Sequence, residues 1–577
     1  MGEITYKQPL PFRHWITGKT GGNALISTYW QEYLKRDPNL NRLTTCIEIV
    51  FSPDQRIFVA THRIKATSST TGDAYQYIPV LSQEPEVSSS IEIGNTSSRA
   101  RSFSIKIPNE FADVSKLLRS GRYLAGFAEV SLQYDGGDYD HRIVLMRGEM
   151  DNGVTFYPKD GGSVEFSVTD PKDSSDYPCP PYTIDNSGRG SFSTAPDTSN
   201  GKRYPIVLGK YNSIPCPWVQ NISGKATVMI TYGNSEHTDT DTVYVDGEPY
   251  SSSDVTYGWQ RVTDSDDNGV SFTGIEFQYS TSFSTNFTEN VYTSVSRGNT
   301  KETNPIDQIR YLVSGFTGLD EASINQTLFS KARSRTTSIQ SNTVINAGGG
   351  NNASTISFIE GTLCASFPMI SMVWEGNGYG PVVVDRNAPV SYVLDVDQWP
   401  VLGRLSGVTE TPKNKVYNDF QLHFQYNAMQ DLYGGMVIRN HTNNNLCNIS
   451  ATNCGVRQYS PIESPYIQDT GTAGVVADWL TAHLSQPKLL VEYQCEGVMY
   501  LKVTTGDNIE LTDPEFGWDS VIATVVGVKY KSGTCTLSLC VWQTYFGLGG
   551  GSASGNQRSG VSGNVMMQAG AFAGGQS

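Results

Sequence analysis

The chain has 577 residues and a formal net charge of −15, and its residues are 38% hydrophobic, 17% charged and 11% aromatic. So much apolar mass with so little charge excludes a wholly disordered chain, and the length corresponds to about four domains. The acidic balance disfavours a general nucleic-acid-binding protein, because contact with phosphates needs an excess of Lys and Arg.

The first predicted segment is a polar, aromatic N-terminal arm over residues 1–40. Apolar residues at helical spacing predict a short amphipathic helix at 24–35, which the Asp-Pro pair at 37–38 ends. The first residues lack the basic start and apolar stretch of a signal peptide, and no apolar run approaches about 18 residues. We therefore expect neither a leader nor a transmembrane helix.

A β-rich domain is predicted over residues 41–177. Apolar residues alternate with polar ones at 46–51, 91–93 and 101–107, as expected for strands with one buried face. One helix, at 111–118, interrupts this pattern. Six or more strands with one helix predict a closed or half-closed barrel with the helix on its outside.

Proline clusters at 178–217 predict a linker, and an α+β domain follows at 218–335. Its helix is predicted at 305–319, with proline in the first turn. Residues 336–414 are predicted to be a β-rich domain or an insertion. Gly376, Gly378 and Gly380 lie there and predict a hairpin or bulge, because a strand rather than a helix follows them.

A second β domain is predicted over residues 415–546, with an asparagine-rich loop at 441–448 and a hairpin whose tip is Gly533. A helix at 472–484 is predicted to have one apolar face, formed by Val475, Val476, Trp479, Leu480 and Leu484. The whole pattern predicts a mainly β, multidomain fold with a few helices.

The last segment, 547–577, is a glycine-rich tail with one arginine and no acidic residue. Ordering a glycine-rich chain costs about 1–2 kcal/mol of backbone entropy per residue, so this tail cannot fold on itself. A partner surface is needed to order it. The candidates for such an interface are Val565, Met566, Met567 and Phe572.

A weak cation site is the one metal-like motif. Asp264, Asp266 and Asn268, followed by Gly269, match the first half of an EF-hand loop, but Ile275 stands where the bidentate glutamate is required. A polar surface turn is the favoured interpretation, and an adventitious cation site is the alternative.

Catalytic groups are not marked by any pattern. The seven histidines are scattered singly, and no nucleophile elbow is present. The nine cysteines are an odd number without a CxxC pair, so neither a closed disulfide framework nor a zinc ribbon is indicated. We expect no enzyme activity, no catalytic residue and no cofactor. The many tyrosines indicate strand packing and subunit interfaces, with stacking on sugars as the alternative.

The order of segments resembles that of the tail-tip or baseplate hub proteins of long-tailed bacteriophages and gene-transfer agents. The runs that carry this resemblance are residues 43–52, 121–156, 161–173, 204–219, 417–427, 468–494 and 502–533. The N-terminal arm and the glycine-rich tail lie outside it.

The resemblance implies a homotrimer in which each chain supplies two tail-tube-like β-barrels. It also implies partners: the distal tail protein, the tail-tip or central fibre protein and the tape-measure protein, with DNA passing through the lumen. An acidic channel would repel DNA and keep it from binding. The implied location is the virion tail tip, after synthesis in the host cytoplasm. The competing hypotheses are a receptor- or carbohydrate-binding tip protein and a glycan-cleaving β protein, which would need a carboxylate pair about 5–10 Å apart.

Overall fold

A computed structural model gives the fold of most of the chain between residues 43 and 542. The described residues belong to one compact unit. They are 43–52, 55–81, 84–109, 126–157, 162–187, 190–222, 225–233, 239–283, 287–297, 303–345, 354–398, 400–497 and 499–542. The predicted helices at 24–35 and 111–118 and the tail at 547–577 lie outside them.

Nine strands come from the predicted first β domain. They are β1 (Thr44–Ser52), β2 (Gln55–Ala60), β3 (Ile64–Thr67), β4 (Ala74–Pro79), β5 (Val87–Ser90), β6 (Ser102–Pro108), β7 (Phe127–Gln133), β8 (Ile143–Tyr157) and β9 (Ser163–Thr169). All except β5 form one sheet of eight strands, the first sheet, in the order β3-β4-β2-β1-β7-β8-β9-β6. In the described part of the chain no pairing joins β3 to β6, so this sheet is a half-barrel.

Strand β6 shows why the sequence alternation forms this sheet. Phe103, Ile105 and Ile107 are buried, whereas Ser104 and Lys106 between them are exposed. Successive side chains on a strand point to opposite faces, so one face of β6 lies in the core and the other faces solvent. The predicted half-closed β domain is present at this position.

Of the next nine strands, the first two lie within the segment predicted as a linker and the other seven follow it. They are β10 (Ile206–Leu208), β11 (Tyr211–Pro215), β12 (Trp218–Ile222), β13 (Lys225–Tyr232), β14 (Asp239–Val245), β15 (Glu248–Tyr250), β16 (Trp259–Ser265), β17 (Ser271–Phe277) and β18 (Val291–Arg297). Strands β11 to β18 form two four-stranded sheets, in the orders β11-β18-β14-β15 and β12-β13-β17-β16. We call residues 211–297 the middle module. Its core includes Val228, Val243 and Ile275, which are fully buried.

A mainly helical segment connects the middle module to the C-terminal region. Its elements are α1 (Pro305–Phe316), α2 (Gln326–Arg335), β19 (Thr343–Ile345), α3 (Thr355–Phe358), α4 (Cys364–Ser366), β20 (Ile370–Glu375) and β21 (Gly378–Val383). The predicted proline in the first turn of α1 is confirmed, since Pro305 is the first helical residue. Asn304 caps the helix by accepting a hydrogen bond from the Ile306 amide. The predicted glycine-rich hairpin is also confirmed: β20 and β21 are antiparallel around Gly376, whose φ is 59°.

The C-terminal region contains a second large sheet. Its elements are β22 (Val390–Asp395), β23 (Val401–Arg404), β24 (Thr409–Glu410), β25 (Phe420–Asn427), β26 (Leu432–Arg439), α5 (Asn445–Cys454), β27 (Ile462–Glu463), α6 (Thr470–Leu484), β28 (Leu489–Glu496), α7 (Met499–Lys502), β29 (Asn508–Asp513), β30 (Trp518–Lys531) and β31 (Thr534–Val541). The second sheet has the order β22-β29-β30-β31-β28-β23, with β24 beside β28 and β5 beside β30. Strands β25, β26 and β27 form a separate small sheet. The mainly β, multidomain fold class is confirmed.

Three local predictions are wrong. The strand expected at 91–93 is replaced by a turn in which the Asn95 amide donates to the Glu92 carbonyl, because Gly94 adopts a positive φ of 86°. The loop expected at 441–448 contains the start of α5, which Asn444 caps through the amides of Leu446 and Cys447. On α6, Val475 is 38% exposed, so it lies beside the buried face rather than in it.

Across the described residues, no helix combines the length and the apolar character that crossing a membrane requires.

Candidate functional site

The contact between the first and second sheets is the candidate functional site, and we call it the junction. Strand β5 lies between strands of the first sheet along the chain, yet it pairs antiparallel with β30 of the second. Val87 is opposite Tyr530, and Ser89 is opposite Val528. The Ile91 amide extends the ladder by donating to the Val526 carbonyl at 2.8 Å. Strand β5 is thus hydrogen-bonded into the second sheet, although its neighbours along the chain belong to the first.

The hydrophobic core is continuous across the junction. One cluster of buried side chains includes Val130 in the first sheet, Val87 in β5 and Leu537 in the second. The rings of Tyr500 and Tyr530 meet edge to face there, with centroids 5.7 Å apart. Burial of apolar area contributes roughly 25 cal/mol per Å² to stability. Separating the sheets would expose this apolar surface to water and lose that contribution.

Glu375, at the end of β20, is a buried carboxylate within the junction. Its side chain is fully buried and accepts hydrogen bonds from the Thr505 amide at 3.1–3.2 Å and from the Ser89 hydroxyl at 3.3 Å. Burial raises the pKa of Glu375, while the bonds from Thr505 oppose that rise. One carboxylate therefore connects β5 to the segment that precedes β29.

Arg101 and Asp170 form a buried ion pair at the edge of the first sheet. Nε of Arg101 lies 2.9 Å from Oδ2 of Asp170, and Nη2 lies 3.0 Å from Oδ1. The same guanidinium donates to the carbonyls of Leu145 and Gly376. This planar group thus attaches the first sheet to the β20–β21 hairpin in a fixed orientation.

Helix α2 holds the second sheet from the other side. Lys331 Nζ lies 2.8 Å from Oδ2 of Asp507, which is 1% exposed. Arg335 donates to the carbonyls of Val383 and Gly506 at 2.8 and 2.7 Å. The buried negative charge of Asp507 therefore has cationic partners on α2, as a buried charge requires.

A further ion pair fixes the segments that flank the first sheet. Lys172 Nζ lies 2.8 Å from Oε2 of Glu360, which lies on a π-helical turn at Ile359–Leu363. Glu360 also accepts hydrogen bonds from the hydroxyls of Ser98 and Tyr379. The buried charged groups named here therefore all have hydrogen-bond partners in the junction.

The cysteines do not form a reactive centre. All nine are free thiols, and eight of them are buried. Burial raises the pKa of Cys447 to about 11 and that of Cys495 to about 12. A thiol that stays protonated is a poor nucleophile and a poor metal ligand.

The weak cation motif lies in the turn between β16 and β17, away from the junction. Asp264 and Asn268 are exposed, whereas Asp266 is 7% exposed. Oδ1 of Asp266 accepts from the amides of Asn268 and Val270, and Oδ2 accepts from the Tyr204 hydroxyl at 2.5 Å. Among the described residues no group of three or more His, Cys, Asp or Glu is arranged to hold a metal. Cation binding at this turn stays a prediction.

The sequence analysis did not identify the polar residues of the junction. Arg101 and Asp170 are 69 positions apart, and Ser89 and Glu375 are 286 apart. No spacing rule relates residues so distant in the chain. The one signal in the sequence was a charged residue next to an apolar strand. Many exposed charged residues show the same pattern, so it does not identify a buried ion pair.

The fold is similar to solved structures of tail proteins. No protein-family model and no curated protein matches the chain. A tail protein from Neisseria meningitidis MC58 is 8% identical and has a TM-score of 0.37, over 86% of this chain and 96% of that one. The 43 kDa tail protein of prophage MuSo2 from Shewanella oneidensis is 10% identical with a TM-score of 0.34, over 86% and 98%. A chain of a native gene transfer agent virion is 11% identical with a TM-score of 0.38, over 63% and 89%.

Proposed function

We propose that the chain is a structural, non-enzymatic virion protein that acts as a homotrimeric tail hub. It would join the six-fold tail tube and distal tail ring to the three-fold tail tip or central fibre. The observation that supports this role is the presence of two eight-stranded sheets in one chain, the second of which includes β5 from the predicted first β domain. Three such chains place six sheets around one axis, which matches a six-fold ring on one side and a three-fold tip on the other.

The buried polar contacts of the junction support the same role. A symmetry adaptor must hold its two sheets at a constant angle, because a variable angle would prevent the ring from closing. Arg101 and Glu375 each contact both a sheet segment and the β20–β21 region. Paired and fully hydrogen-bonded buried charges fix one arrangement of the elements around them.

The channel of this hub would carry DNA and the tape-measure protein without binding either tightly. The net charge of −15 supports this, since like charges repel DNA from a wall. The tail at 547–577 would attach the hub to a neighbouring tail protein through Val565, Met566, Met567 and Phe572.

Native mass spectrometry and electron microscopy of the purified full chain test the proposal. We expect a trimer and a ring with three-fold symmetry and an open axis. A monomer at micromolar concentration, or a closed ring of another order, would contradict the hub role.

Deletion of residues 547–577 tests the tail separately. The shortened chain should still form the trimer but should be lost from purified particles. Normal incorporation of the shortened chain would exclude the tail as an anchor and leave the hub role unaffected.

A turnover assay tests the non-enzymatic part of the proposal. Purified protein should release no soluble fragments from peptidoglycan or polysaccharide. Robust release that a single Asp or Glu substitution abolishes would contradict it and favour a glycan-cleaving protein.

A further inference from the structure

One end of the middle module is built from three loops. The β14–β15 turn, the β15–β16 loop at 251–258 and the described residues 278–283 and 287–290 between β17 and β18 meet there. The Asp246 amide donates to the Asn290 carbonyl, and the Gln278 amide donates to the Gly258 carbonyl. These bonds fix the three loops to one another.

Aromatic rings fill the interior of this end. Trp218, Phe277 and Phe283 pack with ring centroids 4.7–5.8 Å apart. The indole of Trp218 donates to the Glu289 carbonyl, and that of Trp259 donates to the Tyr250 carbonyl. Both indole donors therefore serve the fold, and the rings give the loops a firm base.

Tyrosines continue this aromatic cluster to the surface. Tyr257 contacts Phe283 at 4.9 Å and meets Tyr250 edge to face at 4.6 Å. Tyr279 is 43% exposed and Val255 is 84% exposed. We call Tyr250, Val255, Tyr257 and Tyr279 the tyrosine end.

Gly258 allows the tyrosine end to form. A Cβ atom at this position would lie 3.1 Å from Cε2 of Tyr279 and 2.5 Å from the Asp254 carbonyl oxygen. The Tyr279 ring therefore rests directly on the backbone of the neighbouring loop. Such a ring is pre-positioned, and a partner that contacts it loses little side-chain entropy on binding.

The charge around the tyrosine end is of one sign. Its three loops carry the carboxylates of Asp246, Glu248, Asp254 and Glu289, and residues 241–258 and 278–290 contain no Lys or Arg. Asp246 and Glu248 are exposed. Over 239–297 there are ten carboxylates and two arginines, although the whole chain carries a net charge of only −15. The acidity of the protein is thus concentrated in this module.

We propose that the tyrosine end binds a basic protein segment, one rich in Lys and Arg. The exposed ring of Tyr279 attracts ammonium and guanidinium groups, and the surrounding carboxylates attract the same groups over a longer range. The adjacent residues Ser251, Ser252 and Ser253 add adaptable hydrogen-bonding groups, a composition typical of protein-binding loops. This inference does not depend on the hub role.

Fluorescence anisotropy with a labelled 16-residue peptide of alternating lysine and serine tests the proposal on the full chain. We expect Tyr279→Ala to weaken binding by about fivefold, which corresponds to the loss of one exposed cation–π contact. The pair Asp246→Asn and Glu248→Gln should weaken it at least as much and should reduce its salt dependence. Val255→Arg should also weaken it, and this side chain is too exposed to be needed for folding.

Matched variants elsewhere distinguish a specific surface from general attraction to an acidic protein. Glu410→Gln with Asp519→Asn removes the same charge from exposed positions on the second sheet, and Tyr177→Ala removes another exposed tyrosine. We expect both to bind the peptide like the unmodified chain. Equal weakening in test and control variants, or no binding to the unmodified chain, would overturn the proposal. Binding of a neutral oligosaccharide at the tyrosine end in place of the peptide would also overturn it.

Discussion

The two large sheets differ in the chemistry of the face that points away from the core. On the first sheet this face carries charged side chains, with Glu48 directly opposite Glu129 on the neighbouring strand. Arg56 lies 3.0 Å from Glu48, and Arg142 lies 2.6 Å from Glu129. A hairpin of β3 and β4 and a 3₁₀ turn at Tyr139–His141 cover this face, and the Tyr139 hydroxyl donates to Glu48 at 2.6 Å.

On the second sheet this face also carries charged residues such as Glu492 and Lys529, but its buried contact around Thr524 is neutral. The Thr524 hydroxyl donates to the Asn508 side chain at 2.6 Å, and Trp542 donates to that hydroxyl at 2.7 Å. The C-terminal end of α6 lies beside this contact, where the ring of His483 stacks on Trp479 at 4.5 Å and meets Trp542 at 5.0 Å. The two sheets have similar numbers of strands, but their buried contacts tolerate substitution differently. Loss of one ion partner leaves a buried charge unpaired, whereas loss of a neutral contact leaves a cavity.

We expect the largest loss of unfolding free energy from substitutions on the charged face of the first sheet. Arg142→Met removes the partner of Glu129, and an unpaired buried carboxylate costs about 3–5 kcal/mol of unfolding free energy. Urea denaturation, followed by hydrogen exchange of β1 and β7, measures the change. The matched control is Arg439→Met, whose partner Asp478 is 62% exposed and whose loss should cost less than about 1 kcal/mol. Similar losses in both variants would show that the charged face needs no pairing.

For substitutions on α6 we expect a smaller loss of unfolding free energy. Leu480 on α6 is fully buried, and Leu480→Ala should cost about 2–5 kcal/mol through lost burial and a residual cavity. Val475→Ala on the same helix should cost less than about 0.5 kcal/mol because that side chain is partly exposed. Thermal unfolding monitored by circular dichroism compares them. A large cost at Val475 would contradict the helix orientation.

Protonation of His483 on acidification should produce the smallest of the three effects. Burial lowers the pKa of His483 to about 3, so the folded protein keeps this ring neutral while the unfolded chain protonates it near pH 6.5. The stability that His483 contributes is therefore complete above about pH 6.5 and falls as the pH decreases. Between pH 7 and pH 5 the loss should be about 2 kcal/mol.

The control for this pH effect is His483→Gln, which removes the titrating group. Urea denaturation at pH 7 and pH 5 should show about 2 kcal/mol less pH dependence in this variant than in the unmodified chain. Equal pH dependence in the two proteins would mean that the ring is already charged when folded.

Local chemistry explains which elements the sequence predicts. Helix α1 has a capping Asn304, Pro305 and apolar residues at helical spacing, and all these signals lie within one segment. Helix α2 is absent from the prediction because seven of its ten residues are polar or charged, and it is held by tertiary contacts such as Leu328 beside Gly380. The contacts of the junction could not be predicted from the sequence for a related reason. Their partner residues meet only when distant segments of the chain fold together.

The separation of β5 and β30 along the chain also determines how long β5 lacks its partner strand during synthesis. Val87 of β5 pairs with Tyr530 of β30, 443 positions later in the chain. At about 5–20 residues per second, a ribosome needs roughly 20 to 90 s to supply that partner. Throughout this interval β5 is an unpaired strand edge, a form of chain that readily joins the wrong neighbour. We therefore expect nascent chains to depend on chaperones until the last strands emerge, and truncated products to aggregate rather than accumulate as soluble, partly folded chains.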